Sequence, residues 1–183
     1  MIRAICAVVA ILSFGWVAPA WAKPPELKFV ANTGISVNMA RLAVDVGEFK
    51  GERHFGKWAI AAVANHGLTT RAWGGGVQAL YGLLGDYGRG VQVGVEGRYE
   101  TKIRQDSGND PSQVDLIDSK STGWALGTFV QSRYAGSTGA FIGGQFGVRR
   151  MWTTTTSTCC GGSFVQSSGQ FWPLVALDVG VVF

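Results

Sequence analysis

Histidine is the side chain best suited to moving protons near neutral pH, and this chain has two. His66 stands in Asn65-His66-Gly67, close to Thr69, Thr70 and Arg71. A base that activates a nucleophile needs a hydroxyl within reach and a group to orient the ring. Neither a serine at a motif-like spacing nor an acidic partner accompanies His66 in this segment. It is the one candidate base, and no catalytic residue is assigned; His54 reads as an interfacial histidine beside a turn. Cys159-Cys160, followed by Gly161-Gly162, could close a vicinal disulfide, but two cysteines without neighbouring histidines make a poor metal site. Asp106, Asp110, Asp115 and Asp118 do not follow a calcium-loop spacing, so they read as a solvated acidic loop. No helix follows Gly74-Gly75-Gly76 to receive a phosphate. The expectation is a protein without catalysis, metal or cofactor.

The remaining charges are more informative because they alternate. From Val91 to Lys102 the odd positions are Val, Val, Val, Gly, Tyr and Thr, while the even positions are Gln, Gly, Glu, Arg, Glu and Lys. Trp124 to Tyr134 and Ala140 to Trp152 repeat the pattern, with Phe129 as the exception. A period of two is the signature of a strand with unlike faces. Placing the polar parity inside a ring of strands gives an expected lumen network of Glu96, Arg98, Glu100, Lys102, Arg133, Arg149 and Asp178, together with Lys57, Gln78, Gln92, Gln131 and Gln145. Charges of both signs in one narrow interior must pair.

Both chain ends point to export. Met1-Ile2-Arg3, the apolar run Ala4 to Val17 and Ala20-Trp21-Ala22 read as a cleavable signal peptide over 1-22. The mature segment, 23-183, reads as one outer-membrane β-barrel domain and holds no apolar run of the ~20 residues that a membrane helix requires. At the other end, Phe171, Pro173, Val175, Leu177, Val179, Val181 and Phe183 share one parity. The net charge of +4 without a clustered basic face gives no support for nucleic-acid binding.

Strands are expected near 40–49, 54–65, 73–84, 91–103, 122–134, 139–152 and 171–183, with an eighth within Leu27 to Asn38. Short connections at Lys50 to Arg53, Gly85 to Gly90 and Ala135 to Thr138 alternate with long ones at Arg104 to Ser121 and Thr153 to Gln170. That alternation is typical of outer-membrane barrels, whose turns are short on one side and long on the other.

A soluble barrel hides its apolar face and a membrane barrel shows it. Aromatic positions favour the second. Trp73, Tyr99, Trp124, Trp152 and Phe171 fall toward one rim and Tyr81, Tyr134 and Phe183 toward the other, all on the apolar parity. Trp124 and Tyr134 are ten residues apart, which at ~3.4 Å per residue and ~40° tilt is roughly 26 Å along the barrel axis, close to the ~25 Å apolar band of such proteins. Gly94, Gly127, Gly143, Gly147 and Gly180 occupy the polar parity, where a narrow interior must mix small with long side chains. The fold expected is all-β, an eight-stranded antiparallel up-and-down transmembrane β-barrel.

With its terminal segment Val175-Ala176-Leu177-Asp178-Val179-Gly180-Val181-Val182-Phe183, the chain resembles the small eight-stranded outer-membrane proteins of the outer membrane protein X and OmpA-barrel type. The resemblance implies location in the outer membrane of a Gram-negative cell envelope and recognition of Phe183 by the barrel-assembly machinery. It also implies contact with outer-membrane lipid and lipopolysaccharide, for which Arg71, Lys102, Arg104, Lys120 and Arg150 are candidates. A structural or surface-interaction role with a plugged polar lumen is expected, in a monomer. A lipid A-modifying enzyme and a narrow, porin-like pore are the alternatives.

Overall fold

The computed structural model describes residues 32–68, 71–86, 88–106, 117–159 and 162–183, and the side chains of 103–106, 117, 118 and 159 lie outside that description. Eight antiparallel strands form one sheet that closes on itself in sequence order. They are β1 (Thr33–Asn38), β2 (Val46–Phe55), β3 (Trp58–Gly67), β4 (Arg71–Asp86), β5 (Arg89–Asp106), β6 (Ile117–Ala135), β7 (Ala140–Cys159) and β8 (Gly162–Val182). A single helical turn, α1 (Met39–Leu42), separates β1 from β2. No helix among the described residues is long and apolar enough to cross a membrane. The signal-peptide segment 1-22 lies outside the described residues, as do residues 27–31 of the expected first strand.

The strand expected near 40–49 is a helical turn at Met39–Leu42, and β2 begins only at Val46; Arg104–Asp106 and Ile117–Ser121, expected in a long connection, belong to β5 and β6. Two larger differences follow. Lys50 to Arg53, expected as a turn, lies inside β2, and the β2–β3 turn falls at Gly56-Lys57 instead. Gly56 adopts a φ of +64°, which a side chain disfavours, so the chain reverses there. The polar run Lys50-Gly51-Glu52-Arg53-His54 resembles a loop only while its charges are counted without their parity. Lys50, Glu52 and His54 are buried, while Gly51 and Arg53 are exposed. Lys57, expected in the lumen, is an exposed turn residue.

Thr153 to Gln170 is the second. Rather than a long loop, these residues extend β7 and β8 into a hairpin paired from Ala140↔Val181 to Cys159↔Gly162. Threonine is a strong strand former, and hydroxyls on this extension meet across the strands, Ser121 with Thr155 at 2.9 Å and Thr154 with Ser167 at 3.3 Å. Hydroxyls fall on both faces of its β7 side, and the apolar Phe164 and Val165 of β8 are adjacent and so point to opposite faces, which leaves no alternation in the sequence to mark it.

The wall is therefore uneven. β5 to β8 are tall, whereas β1 has six residues and pairs with β8 only from Asp178 to Val182. Phe183 closes this seam by exchanging backbone bonds with Thr33 at 2.9 and 3.0 Å, and Asn32 adds a third to the Phe183 carbonyl. The turns at Gly56-Lys57, near Gly88 and at Gly136–Gly139 gather at this same end, called here the Phe183 end.

Inside, one register row runs Ala59↔Leu80↔Gly94↔Phe129↔Gly147↔Leu174 across six strands. Ala59, Leu80, Phe129 and Leu174 are buried together with Ala61. This row gives Phe129, the exception to its strand's pattern, its place: the ring lies over Gly94, where a Cβ would come within 2.8 Å of Cε2. Small residues between large ones let the row fill a narrow interior.

Candidate functional site

The faces of this barrel are inverted relative to those of a barrel with an apolar centre. Glu96 and Arg98 are 3% and 6% exposed, whereas Val95 and Leu126 are 55% and 61% exposed. Charge is enclosed and aliphatic surface is displayed.

Toward the end opposite Phe183, the interior holds a cluster built from α1, β2, β5 and β7. Arg98 donates to Glu96 at 2.9 Å and to both oxygens of Glu48. Arg41 reaches in from α1 to bind Glu48 at 2.7 Å and Glu100 at 2.9 Å. Asn38 and Gln78 donate to Glu48 and Glu96 at 2.9 and 3.2 Å. Arg149 approaches Glu96 at 3.9 Å. Cations and carboxylates compensate one another, as enclosure in a medium of low polarity demands.

Nearer Phe183 a second network crosses the lumen. Lys50 on β2 bonds Asp178 on β8, and Gln145 donates to the same carboxylate at 3.0 Å. Gln145 and Lys50 both donate to Gln131, at 2.7 and 3.3 Å, and Gln131 passes the chain on to Gln92 at 3.3 Å. Gln92 lies 3.3 Å from Nε2 of His54. Arg133 grips Glu52 with two nitrogens and lies over the ring of Phe141, 4.3 Å from its centroid.

Of the seven residues expected in the lumen network, Glu96, Arg98, Arg133 and Asp178 are buried and Glu100 and Arg149 are partly enclosed. Lys102 is not: it is exposed, paired with Ala72 near the start of β4, where the neighbouring wall is ending. Arg41, Glu48, Lys50, Glu52 and His54 are the members that sequence reasoning missed. Once Glu52 and His54 are set two apart from Lys50 and Glu48, the parity signal that would have found them is plain. His54 is thus a lumen residue of β2 and not an interfacial one.

His66 lies on β3 facing outward, with Nδ1 2.5 Å from the carbonyl of Gly67. No group of three or more metal-ligating side chains occurs among the described residues. Cys160 and the side chain of Cys159 are outside the description, as are Asp110 and Asp115.

The expected belt aromatics lie on the outer surface. Trp73, Trp124, Tyr134, Trp152, Phe171 and Phe183 are exposed, and Tyr81 and Tyr99 partly so. Tyr99 bridges Trp73 and Trp124, with ring centroids 5.9 and 4.9 Å away, and Tyr81 meets Trp58 at 4.9 Å near the other rim.

No protein-family model, curated protein or solved structure matches this chain.

Proposed function

We propose that this chain is an integral outer-membrane β-barrel with a structural or surface-interaction role, its lumen filled by ion-paired side chains. The observation that carries the reading is the inversion of faces. Aliphatic and aromatic side chains cover the outside of the ring, where water would make them unfavourable by about 25 cal/mol per Å² and lipid would not. The ten-residue interval between Trp124 and Tyr134, both outward, matches the apolar thickness that such barrels present. Closure of the sheet satisfies the backbone pairing that a bilayer requires.

The same geometry supports a filled interior over a conduit, since Lys50, Gln131, Gln145 and Asp178 bond to one another across the lumen. Outer connections and the Thr/Ser ribbon of β7 and β8 are the surface left for partners. The resemblance to small eight-stranded outer-membrane proteins, with Phe183 as an assembly signal, belongs to this proposal. Expression in a Gram-negative host, membrane fractionation and gel migration with and without boiling test it. The expected result is a detergent-extracted outer-membrane protein whose mobility changes on heating. Recovery in the soluble periplasmic fraction would overturn it.

A further inference from the structure

β8 outlasts the strand that flanks it. β1 pairs with it only from Val182 to Asp178, whereas β8 runs on to Gly162. Beyond Asn38 the chain leaves the sheet as α1, which touches both β8 and β2. Its four helical residues rise ~6 Å, while the sixteen steps from Asp178 to Gly162 extend roughly 54 Å.

Most of that edge is therefore bare. Val182 turns its N–H to Gly139 on the β7 side, and Phe183 turns its N–H to Thr33 of β1. Because the register with β7 is unbroken, every odd residue of β8 faces as Phe183 does. Phe171, Gly169, Ser167, Val165 and Ser163 thus direct their N–H and carbonyl groups away from β7, and among the described residues no backbone group meets them. All five are exposed. Toward Phe183 the row of donors is interrupted at Pro173, which has no N–H.

The sequence leaves this edge unguarded. Sheets commonly keep an open edge from pairing by placing lysine, other charges or proline along it. Residues 151–177 include no Asp, Glu, Lys or Arg, and their one proline is Pro173, at the foot of the bare stretch. By contrast, the residues of β5 that overhang Arg71 of β4 include Arg104 and Asp106. On β8, Phe164 and Val165 are 70% and 67% exposed on opposite faces, so an added strand would cover apolar surface as well as satisfy backbone groups.

We propose that the edge of β8 over residues 163–171 accepts an extended, uncharged segment of another protein as an added strand. The row of backbone donors and acceptors sets the conformation of the occupant, since main-chain bonds carry the affinity in strand addition. The absence of charge along the edge sets its chemistry. A second copy in the same membrane does not fit: strands tilted ~40° in two barrels related about the membrane normal cross at about 80° instead of aligning. That exclusion rests on the membrane reading above; the bare edge does not.

The test uses the full chain folded in detergent micelles and a fluorescently labelled peptide with the sequence of residues 151–158, part of the strand that pairs with the other edge of β8. Saturable binding, read by anisotropy, is expected. Ser167→Ala keeps the backbone donor and is expected to bind as the parent does. Ser167→Pro removes that donor at an edge, where proline is tolerated, and is expected to weaken binding roughly ten-fold. Val165→Lys puts a charge on the edge and is expected to weaken binding as well. Absence of saturable binding overturns the site, as does undiminished binding by S167P or, where heat-dependent migration shows that variant misfolded, by V165K. Dimers of the chain in sedimentation that S167P abolishes would overturn the assignment to another protein. A chain recovered in the soluble periplasmic fraction that still binds the peptide would remove the membrane reading and leave the edge standing.

Discussion

Asn38 and Leu177 meet where β1 runs out: the side-chain Oδ1 of Asn38 accepts the backbone N–H of Leu177 at 3.4 Å. Phe183 directs its N–H and carbonyl toward β1, and Val182 directs its N–H toward Gly139 beside β7. Because these directions alternate along a strand, Leu177, Val175 and Pro173 also face the β1 side. A side chain thus replaces one further strand residue at Leu177, and Pro173 has no N–H to offer. The same Oδ1 caps α1 by accepting from Arg41 N at 3.3 Å.

Asn38→Ala is therefore expected to remove a helix cap and to leave buried polar groups without a partner. A loss of roughly 2–4 kcal/mol follows from these two effects together. Pro173→Ala, which adds a donor at an edge, is expected to stay within about 0.5 kcal/mol. Urea titration of the folded protein in detergent micelles reads both.

Lys50 and Asp178 are 4% and 3% exposed, so neither can fall back on solvent. Lys50→Met leaves a carboxylate enclosed without its cation, at a cost of roughly 3–5 kcal/mol. The double variant Lys50→Met with Asp178→Leu is expected to recover most of that loss. A double-mutant cycle in urea would show strong coupling, and simple additivity would contradict the enclosed pair.

Val95 separates a lipid-facing wall from a water-facing one. Its register partner Thr128 lies between Trp124 and Tyr134, which puts Val95 near the middle of the apolar band. Val95→Arg is expected to cost roughly 2–4 kcal/mol in a bilayer, whereas a surface substitution in water usually stays within about 0.5 kcal/mol. Stability in phosphatidylcholine vesicles decides between them.

Gly94→Ala is expected to be destabilising by roughly 1–3 kcal/mol through overpacking, because its methyl would enter the Phe129 ring. Phe129→Leu in the same chain should relieve it. Gly147→Ala should find no such relief, since its Cβ would meet the Phe129 main chain and the Thr128 carbonyl. Comparison of urea midpoints for the four variants checks this.

The closed all-β ring is legible in the sequence because β5 to β8 alternate over long stretches; the inward Glu96 and Arg98 and the outward Val95 follow from parity alone. The first half of the site is hidden. Glu48, Lys50 and Glu52 sit in a run whose charges alternate with Phe49, Gly51 and Arg53, so hydropathy blurs the two faces and suggests a turn within β2. Arg41 enters the lumen from a helical turn, which has no period-two signal at all. The Thr153 to Ser157 ribbon is invisible for the opposite reason, having hydroxyls on both sides. Pairing between Arg98 and Glu48, fifty positions apart, depends on how the sheet closes and has no local trace.

The apolar row through Leu80, Phe129 and Leu174 stops at β2, where the register partner of Ala59 is His54. Glu48, Lys50, Glu52 and His54 follow one another on the inward parity of that strand. One strand thus threads both ionic networks, and a distortion of β2 reaches the two together.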